Sequence, residues 1–387
     1  MTSPRVRIAA AGALVLAAAL SIPAASASAD PRHPHGQSAR VPIQLLSFND
    51  YHGHLEATDP ALPRKWDPSQ SPTGGVEYLS ATIKALRAEV GDSNSLTVAA
   101  GDLIGGSPFL SGMFHDEPSV ESLETLGLDV SSVGNHEFDE GSAELLRMQR
   151  GGCHPVDGCY YPDQPYDGAS FTWLAANVVK KSNGKPLLPP VAVRAVKGVK
   201  IGFIGMTLEA TPTLVNPAGV ASVDFKDEIE TANAQAAALK KRGVKTIVVL
   251  LHEGGVNPSG ISSCAGISGP ILAIAQGITH EVDAIITGHT HEPYICQIPD
   301  ADGVARLVTS AASYGQVVTE TTLVVDKATG EVDRSASVAE NHLVLRSIGK
   351  DPAETAVIAK WNTLAAPMAA RIVGSHVEDI LGDSNGN

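Results

Sequence analysis

Five times along this chain an apolar run stops at a carboxylate, amide or imidazole, followed closely by glycine or a turn. The stretches are "LLSFNDYHG" with Asp50 and His52, "LTVAAGDLIGG" with Asp102, and "DVSSVGNHEFD" with Asn135, His136 and Asp139. Two more follow, "TIVVLLHEGG" with His252 and "DAIITGHTH" with His289 and His291. Short apolar runs rich in β-branched residues and bounded by Gly-containing turns read as buried strands. "WLAANV" and "VKIGFIGM" add two further strands, and helical patterns cover Glu77 to Val90, Ser119 to Leu126 and Asp227 to Arg242. Such strand–helix alternation predicts an α/β layered domain. In open α/β sheets, functional groups collect at the carboxyl ends of strands, so the five polar ends are expected to meet at one edge. Taken singly, each reads as an ordinary cap or turn residue. Independent turns do not deliver His52, His252, His289 and His291 with two aspartates and an asparagine in this order.

The first 29 residues have the pattern of an export signal. Arg5 and Arg7 precede an apolar core from Ile8 to Ile22, and Ala27-Ser28-Ala29 stands just before Asp30. That core is short for a membrane span and contains no cysteine for a lipid anchor, so a soluble exported protein is expected, secreted or at the cell-envelope exterior or periplasm. Residues 30–40 read as a disordered lead-in and 41–350 as one catalytic domain. Within that domain "QVVTETTLVVD" and "SASVAENHLVLR" form antiparallel strands. A last helix from Pro352 to about Ile372 and a polar tail make up 351–387. The formal net charge of −14 repels nucleic-acid backbones and anionic membranes. A phosphate-bearing small molecule would need a strong local positive charge, such as a metal ion. Export permits disulfides. Of the three possible pairings of four cysteines, the short loop favours Cys153–Cys159, which leaves Cys264–Cys296 around a helix and a strand. A thiolate metal site is the other reading, but the spacings match none of the usual zinc patterns.

The ordered set Asp-x-His, Gly-Asp, Gly-Asn-His-Glu, a lone His and Gly-His-x-His resembles the calcineurin-like metallophosphoesterases. "NDYHGHL", "AGDLIGGSP", "GNHEFDEG", "LAANV", "IGFIGMT", "LLHEGG" and "TGHTH" are similar to the catalytic domain of secreted 5′-nucleotidases, from about Ile43 to Val325. Protein Ser/Thr phosphatases of the superfamily carry an arginine after Gly-Asp, where this chain has Gly105 and Gly106. The resemblance implies a four-layer α-β-β-α sandwich with mixed sheets. It also implies two divalent ions, one held by Asp50, His52 and His291, the other by Asn135, His252 and His289, with Asp102 as the bridge. His136 would face the phosphoryl oxygens. Asp139, three residues on along a helix, would hold its ring or else merely cap that helix. The donors are imidazole, carboxylate and amide without thiolate, which suits Zn, Mn, Fe, Co or Ni rather than an all-Mg or all-Ca site. Glu253 and Glu292 are candidate orienters of ligand histidines. His54, His115, His154 and His280 carry no partner motif, and Tyr314 either lines the site or is an ordinary strand-end aromatic.

The implied activity is hydrolysis of nucleotide phosphate monoesters by a metal-activated water. Cyclic-nucleotide diesters and nucleotide-sugar pyrophosphates are alternative substrates for the same centre. A non-catalytic secreted metal- or nucleotide-binding protein is the reading from another class. Relatives of this type carry a C-terminal specificity domain after the linking helix. The sequence is read as lacking it, with looser base preference as the expected consequence.

Overall fold

In the computed structural model, which describes residues 39–57, 64–161 and 163–374, the apolar runs become strands of two mixed six-stranded sheets. The signal-like segment, most of the lead-in and the tail from 375 lie outside the described residues. The first sheet contains β1 (Arg40–Phe48), β2 (Ser95–Ala100), β3 (Val130–Ser132), β4 (Thr172–Leu174), β13 (Val317–Asp326) and β14 (Val338–Leu343). Its order is β14-β13-β1-β2-β3-β4, with β1 to β4 parallel and β13 and β14 antiparallel at one side. The second contains β6 (Val191–Val196), β7 (Val199–Thr207), β9 (Thr246–His252), β10 (Ala284–Thr287), β11 (Tyr294–Pro299) and β12 (Ala305–Ser310). There the order is β11-β12-β10-β9-β7-β6, a parallel centre with an antiparallel strand at each edge. A small ribbon pairs β5 (Val178–Lys180) with β8 (Val223–Phe225). The expected strand "WLAANV" thus breaks in two. Asn177 is the reason, since its amide binds Thr207 and Lys226 and ties the chain down between β4 and β5.

Three apolar clusters correspond to three interfaces between four layers. Because side chains alternate along a strand, each strand serves two of them. Ile43 and Leu45 of β1 meet Val248 and Leu250 of β9 between the sheets. Leu46 and Phe48 face outward beneath α1 (Val76–Val90), α3 (Glu117–Leu126) and α7 (Pro352–Ala369). On the far side Val249 and Leu251 pack under α5 (Glu228–Lys241) and α6 (Ile271–Gly277). The helices present matching stripes: Leu79, Ile83 and Leu86 on α1, Ala232, Ala236 and Leu239 on α5. Their ends follow local rules. Asp227 caps α5 by accepting from the Glu230 N–H, Asp351 caps α7 ahead of Pro352, and Gly127 ends α3 in the left-handed region. Two short helices, α2 (Phe109–Gly112) and α4 (Ser142–Arg150), flank the loop regions after β2 and β3. Disulfides join Cys153 to Cys159 and Cys264 to Cys296, the second enclosing α6 and β10 as expected. Among the described residues no helix is long and apolar enough to cross a membrane.

Candidate metal centre

The five polar ends do meet, but they come from two sheets, β1, β2 and β3 of one and β9 and β10 of the other. The face-to-face packing puts both sets of carboxyl ends on the same side. Strand parity sets the crossing. Val248, Leu250 and His252 share the inter-sheet face of β9, so His252 points at the first sheet and its Nδ1–H donates to the Ala100 carbonyl, 2.7 Å away. The loops after β1 and β2 stay paired beyond the strands, with Asp50 N donating to Gly101 O and His52 N to Asp102 O, both at 3.0 Å. Gly288 permits the approach of β10, because a Cβ there would lie 2.9 Å from both Asp50 Oδ2 and His252 Nδ1. Gly53 sits at φ +56, and a Cβ there would strike Ser107 and Ser111, so it spares that loop rather than a ligand pocket.

The donors fall into overlapping groups. Asp50, His52 and His291 converge, as do His52, Asp102 and His136, and Asp102, His252 and His289. Asp102 stands between the groups, its Oδ2 2.9 Å from His252 Nε2 and 3.7 Å from His52 Nε2. Asp50 Oδ1 is 3.2 Å from His291 Nε2, and Asp50, Asp102, His52, Asn135 and His252 are all buried. A carbonyl can only accept, so the bond from His52 Nδ1–H to Gly105 O (2.7 Å) fixes the tautomer and leaves the Nε2 lone pair facing the carboxylates. The Ala100 carbonyl likewise holds Nδ1 of His252, which turns its Nε2 towards Asp102. Backbone carbonyls thus orient these rings, and the expected role of Glu253 and Glu292 is not seen. Glu253 accepts from the adjacent Gly254 N–H, and Glu292 makes no hydrogen bond to a site histidine among the described residues.

Two observations fit this set to metal. Asn135 Oδ1 is buried and makes no hydrogen bond, although such atoms are nearly always satisfied, and the buried His252 Nε2 faces the Asp102 carboxylate at 2.9 Å. Five of the seven proposed ligand residues, Asp50, His52, Asp102, His289 and His291, hold positive φ between 48° and 75°. Non-glycine residues pay about 1–3 kcal/mol each for sparsely populated conformations, which persist where the surroundings dictate them and cluster at functional sites.

His136 lies beside the groups, its ring 4.9 Å from that of His52, and its backbone N–H donates to Asp102 Oδ1 at 2.8 Å. It opens a short 3-10 turn rather than an α-helix. That turn still brings Asp139 Oδ2 to 2.8 Å from His136 Nδ1. The bond to Asp139 outweighs partial burial and, with Asp102, holds the imidazole up at about 9. Burial opposes charge on His252, but Asp102 and Asp50 more than offset it and raise it to about 10. Burial would also raise Asp102, yet His252, His52 and His136 hold it well below the carboxylate range.

Three residues escaped the sequence reading. The buried carboxylate of Glu137 accepts from the N–H groups of Asp102 (3.0 Å), Leu103 (2.7 Å) and Gly134 (2.5 Å), lacing the loops after β2 and β3 together. Asn49 donates to Asp50 Oδ2 at 2.7 Å and is itself held by Ala311 and Ala312. His54 stacks on Tyr314 at 4.1 Å, and that tyrosine packs edge-on against His291. The clue for Glu137 was its place in "GNHE". Asn49 and His54 left none.

A family model described as calcineurin-like phosphoesterase matches residues 43–293. The chain is 35% identical over 343 residues to "Endonuclease YhcR" of Bacillus subtilis, covering 88% of this chain and 27% of that protein. It is 28% identical over 293 residues to a 5′-nucleotidase of Vibrio parahaemolyticus, covering 74% and 46%. A solved 5′-nucleotidase precursor of Thermus thermophilus superposes with a TM-score of 0.68 at 24% identity, over 86% of this chain and 61% of that one. The chain spans less than half the length of either curated relative.

Proposed function

Because the chain belongs to the calcineurin-like phosphoesterase family, we propose that it is an exported di-metal phosphomonoesterase of the 5′-nucleotidase type, acting on nucleotides. The observation that carries the reading is the chain of donor groups linked through His52 and Asp102, with the buried, unbonded Asn135 Oδ1 beside them. Asp50, His52 and His291 would hold one ion, Asn135, His252 and His289 the other, and Asp102 both. When bound, two divalent transition-metal ions supply Lewis-acid charge for a phosphate dianion and acidify water. His136 has its Nδ1 tied to Asp139, so Nε2 is the nitrogen left for substrate. Protonated at neutral pH, it offers charge to a phosphoryl oxygen and a proton to the departing alcohol. Similarity to a named 5′-nucleotidase supports the monoester substrate, and the leader-like first 29 residues support export.

The test is hydrolysis by the purified chain of a panel of nucleotides, cyclic diesters and nucleotide-sugars, read as inorganic phosphate from the monoesters and as the newly formed monoester from the others, with cleavage of a single-stranded oligonucleotide as a further arm because one relative is named an endonuclease. Nucleotide monoesters should turn over fastest, chelator should stop the reaction, and Mn or Zn should restore it. Asp102→Ala and His136→Ala should lose turnover, and near-normal rates in either would refute the mechanism. Faster cleavage of the oligonucleotide would overturn the substrate assignment.

A further inference from the structure

Tyr314 stands on the loop between β12 and β13, where every other residue from Ala311 to Gln316 is buried and its own ring is left partly exposed. We propose that its phenolic O–H donates to the phosphoryl group of the substrate, with His54 as the positioning residue that fixes the ring. The inference rests on the phosphoesterase reading above and adds to it a substrate contact. The Tyr314 ring lies 5.2 Å from that of His291 and 5.8 Å from that of His52. These are two of the three residues proposed to hold one ion, and His136, the other group facing substrate, lies 4.9 Å from the same His52 ring. The loop reaches this place at a cost. Ala312 and Tyr314 hold φ of 60° and 57°, which bulky side chains rarely adopt and which persists where the surroundings dictate it. What dictates it here is the site, since the Tyr314 N–H donates to the carbonyl of Asp50 at 2.7 Å. An aromatic that merely closes a strand end needs no such backbone.

Three rings restrict how Tyr314 can turn. His54 stacks on it at 4.1 Å and 28°, which covers one face, while His291 and His52 meet it at 75° and 59°. With a face already taken, the ring offers the site its hydroxyl. That hydroxyl makes no hydrogen bond among the described residues, whereas the buried Tyr51 and Tyr294 bond theirs to Ser122 at 3.0 Å and Thr287 at 2.5 Å. A neutral O–H aimed at a phosphate dianion makes a charge-assisted bond without adding a charge that would compete with metal ions. His54 touches no donor group of the centre directly; it acts through the tyrosine it stacks on.

The test is calorimetric titration of the metal-loaded full chain with inorganic phosphate, with bound metal and Tm measured on each variant. Tyr314→Phe keeps the ring and its stack and removes only the O–H. It should weaken phosphate binding about tenfold or more, the loss of one hydrogen bond to a charged group, and leave bound metal and Tm unchanged. His54→Ala should weaken phosphate binding too, and His54→Phe, which keeps a stacked ring, should recover most of that loss. In the Tyr314→Phe background His54→Ala should cost no further affinity, because no hydroxyl is left to aim; a purely structural His54 predicts the same cost in both backgrounds. No phosphate binding by the unsubstituted chain, unaltered affinity in Tyr314→Phe, or a loss that follows loss of metal would overturn the proposal. A chain that shows these phosphate affinities but hydrolyses no ester would instead sink the phosphomonoesterase reading and leave the contact standing.

Discussion

Replacing Glu137 by glutamine tests whether this carboxylate keeps the loops after β2 and β3, with their proposed ligands, in register. Its Oε2 accepts from Asp102 N and Gly134 N, its Oε1 from Leu103 N, and the side chain is buried. A glutamine has one accepting oxygen, so in either amide orientation at least one backbone N–H faces an NH2. An unsatisfied buried donor costs about 1–3 kcal/mol, and a domain of this size loses roughly 2–4 °C in Tm per kcal/mol. The loss falls on Asp102 and on the turn that leads to Asn135 and His136. Weakened support of this kind lowers metal affinity about 10–100-fold. The assay is a competition of the purified variant against a chelator of known affinity, with thermal unfolding of the metal-free chain alongside. Both Tm and metal affinity should fall. If both match the unsubstituted protein, the three hydrogen bonds do not set the site and the reasoning fails.

The remaining predictions concern protonation. Asp139→Asn removes the main support for His136, which is charged below about 9 and loses that charge as pH rises through it. The alkaline limb of kcat should move down by a pH unit or more, and with both side chains about one-third exposed stability should change by less than about 1 kcal/mol; an unmoved limb would remove Asp139 from the mechanism. Glu354, buried in α7 with neither carboxylate oxygen hydrogen-bonded, is pushed up to about 9 by burial and then by Asp351. Its folded form keeps a proton that the unfolded chain releases near 4.5, so this stability is whole below 4.5 and drains away up to about 9, reaching roughly 3 kcal/mol at pH 7. Glu354→Leu should therefore stabilise the chain more at pH 8 than at pH 5 in urea unfolding, and an equal gain at both would contradict it.

Strand identity and the donor set were legible because both are properties of residue type at short spacing. An apolar run of β-branched residues ending in Asp-x-His is visible without the fold, and Asp50, His52, Asp102, His252, His289 and His291 duly come together. Element ends were read to within a few residues, as with the helix expected from Ser119 that begins at Glu117. The break between β4 and β5 was not legible, because it depends on Asn177 finding Thr207 and Lys226 across 30 and 49 residues. Nor was the derivation of the five ends from two sheets, since hydrophobic alternation says that a strand has two faces but not what covers each.

The orientation of the histidines escaped for a deeper reason. A ligand histidine needs a partner on its second nitrogen, and sequence inspection looks for that partner among side chains, which made Glu253 and Glu292 the natural candidates. Here the partners of His52 and His252 are the Gly105 and Ala100 carbonyls, which every residue possesses and no pattern can single out. Those carbonyls are aimed by the turn after β2 and by the close approach of the sheets, with Gly288 leaving room. The chemical groups of the centre are thus local in sequence, whereas the ring orientations are set by the turn after β2 for His52 and by the packing of one sheet on the other for His252. Substitutions that shift that packing, far from any ligand, should weaken metal binding before they unfold the chain.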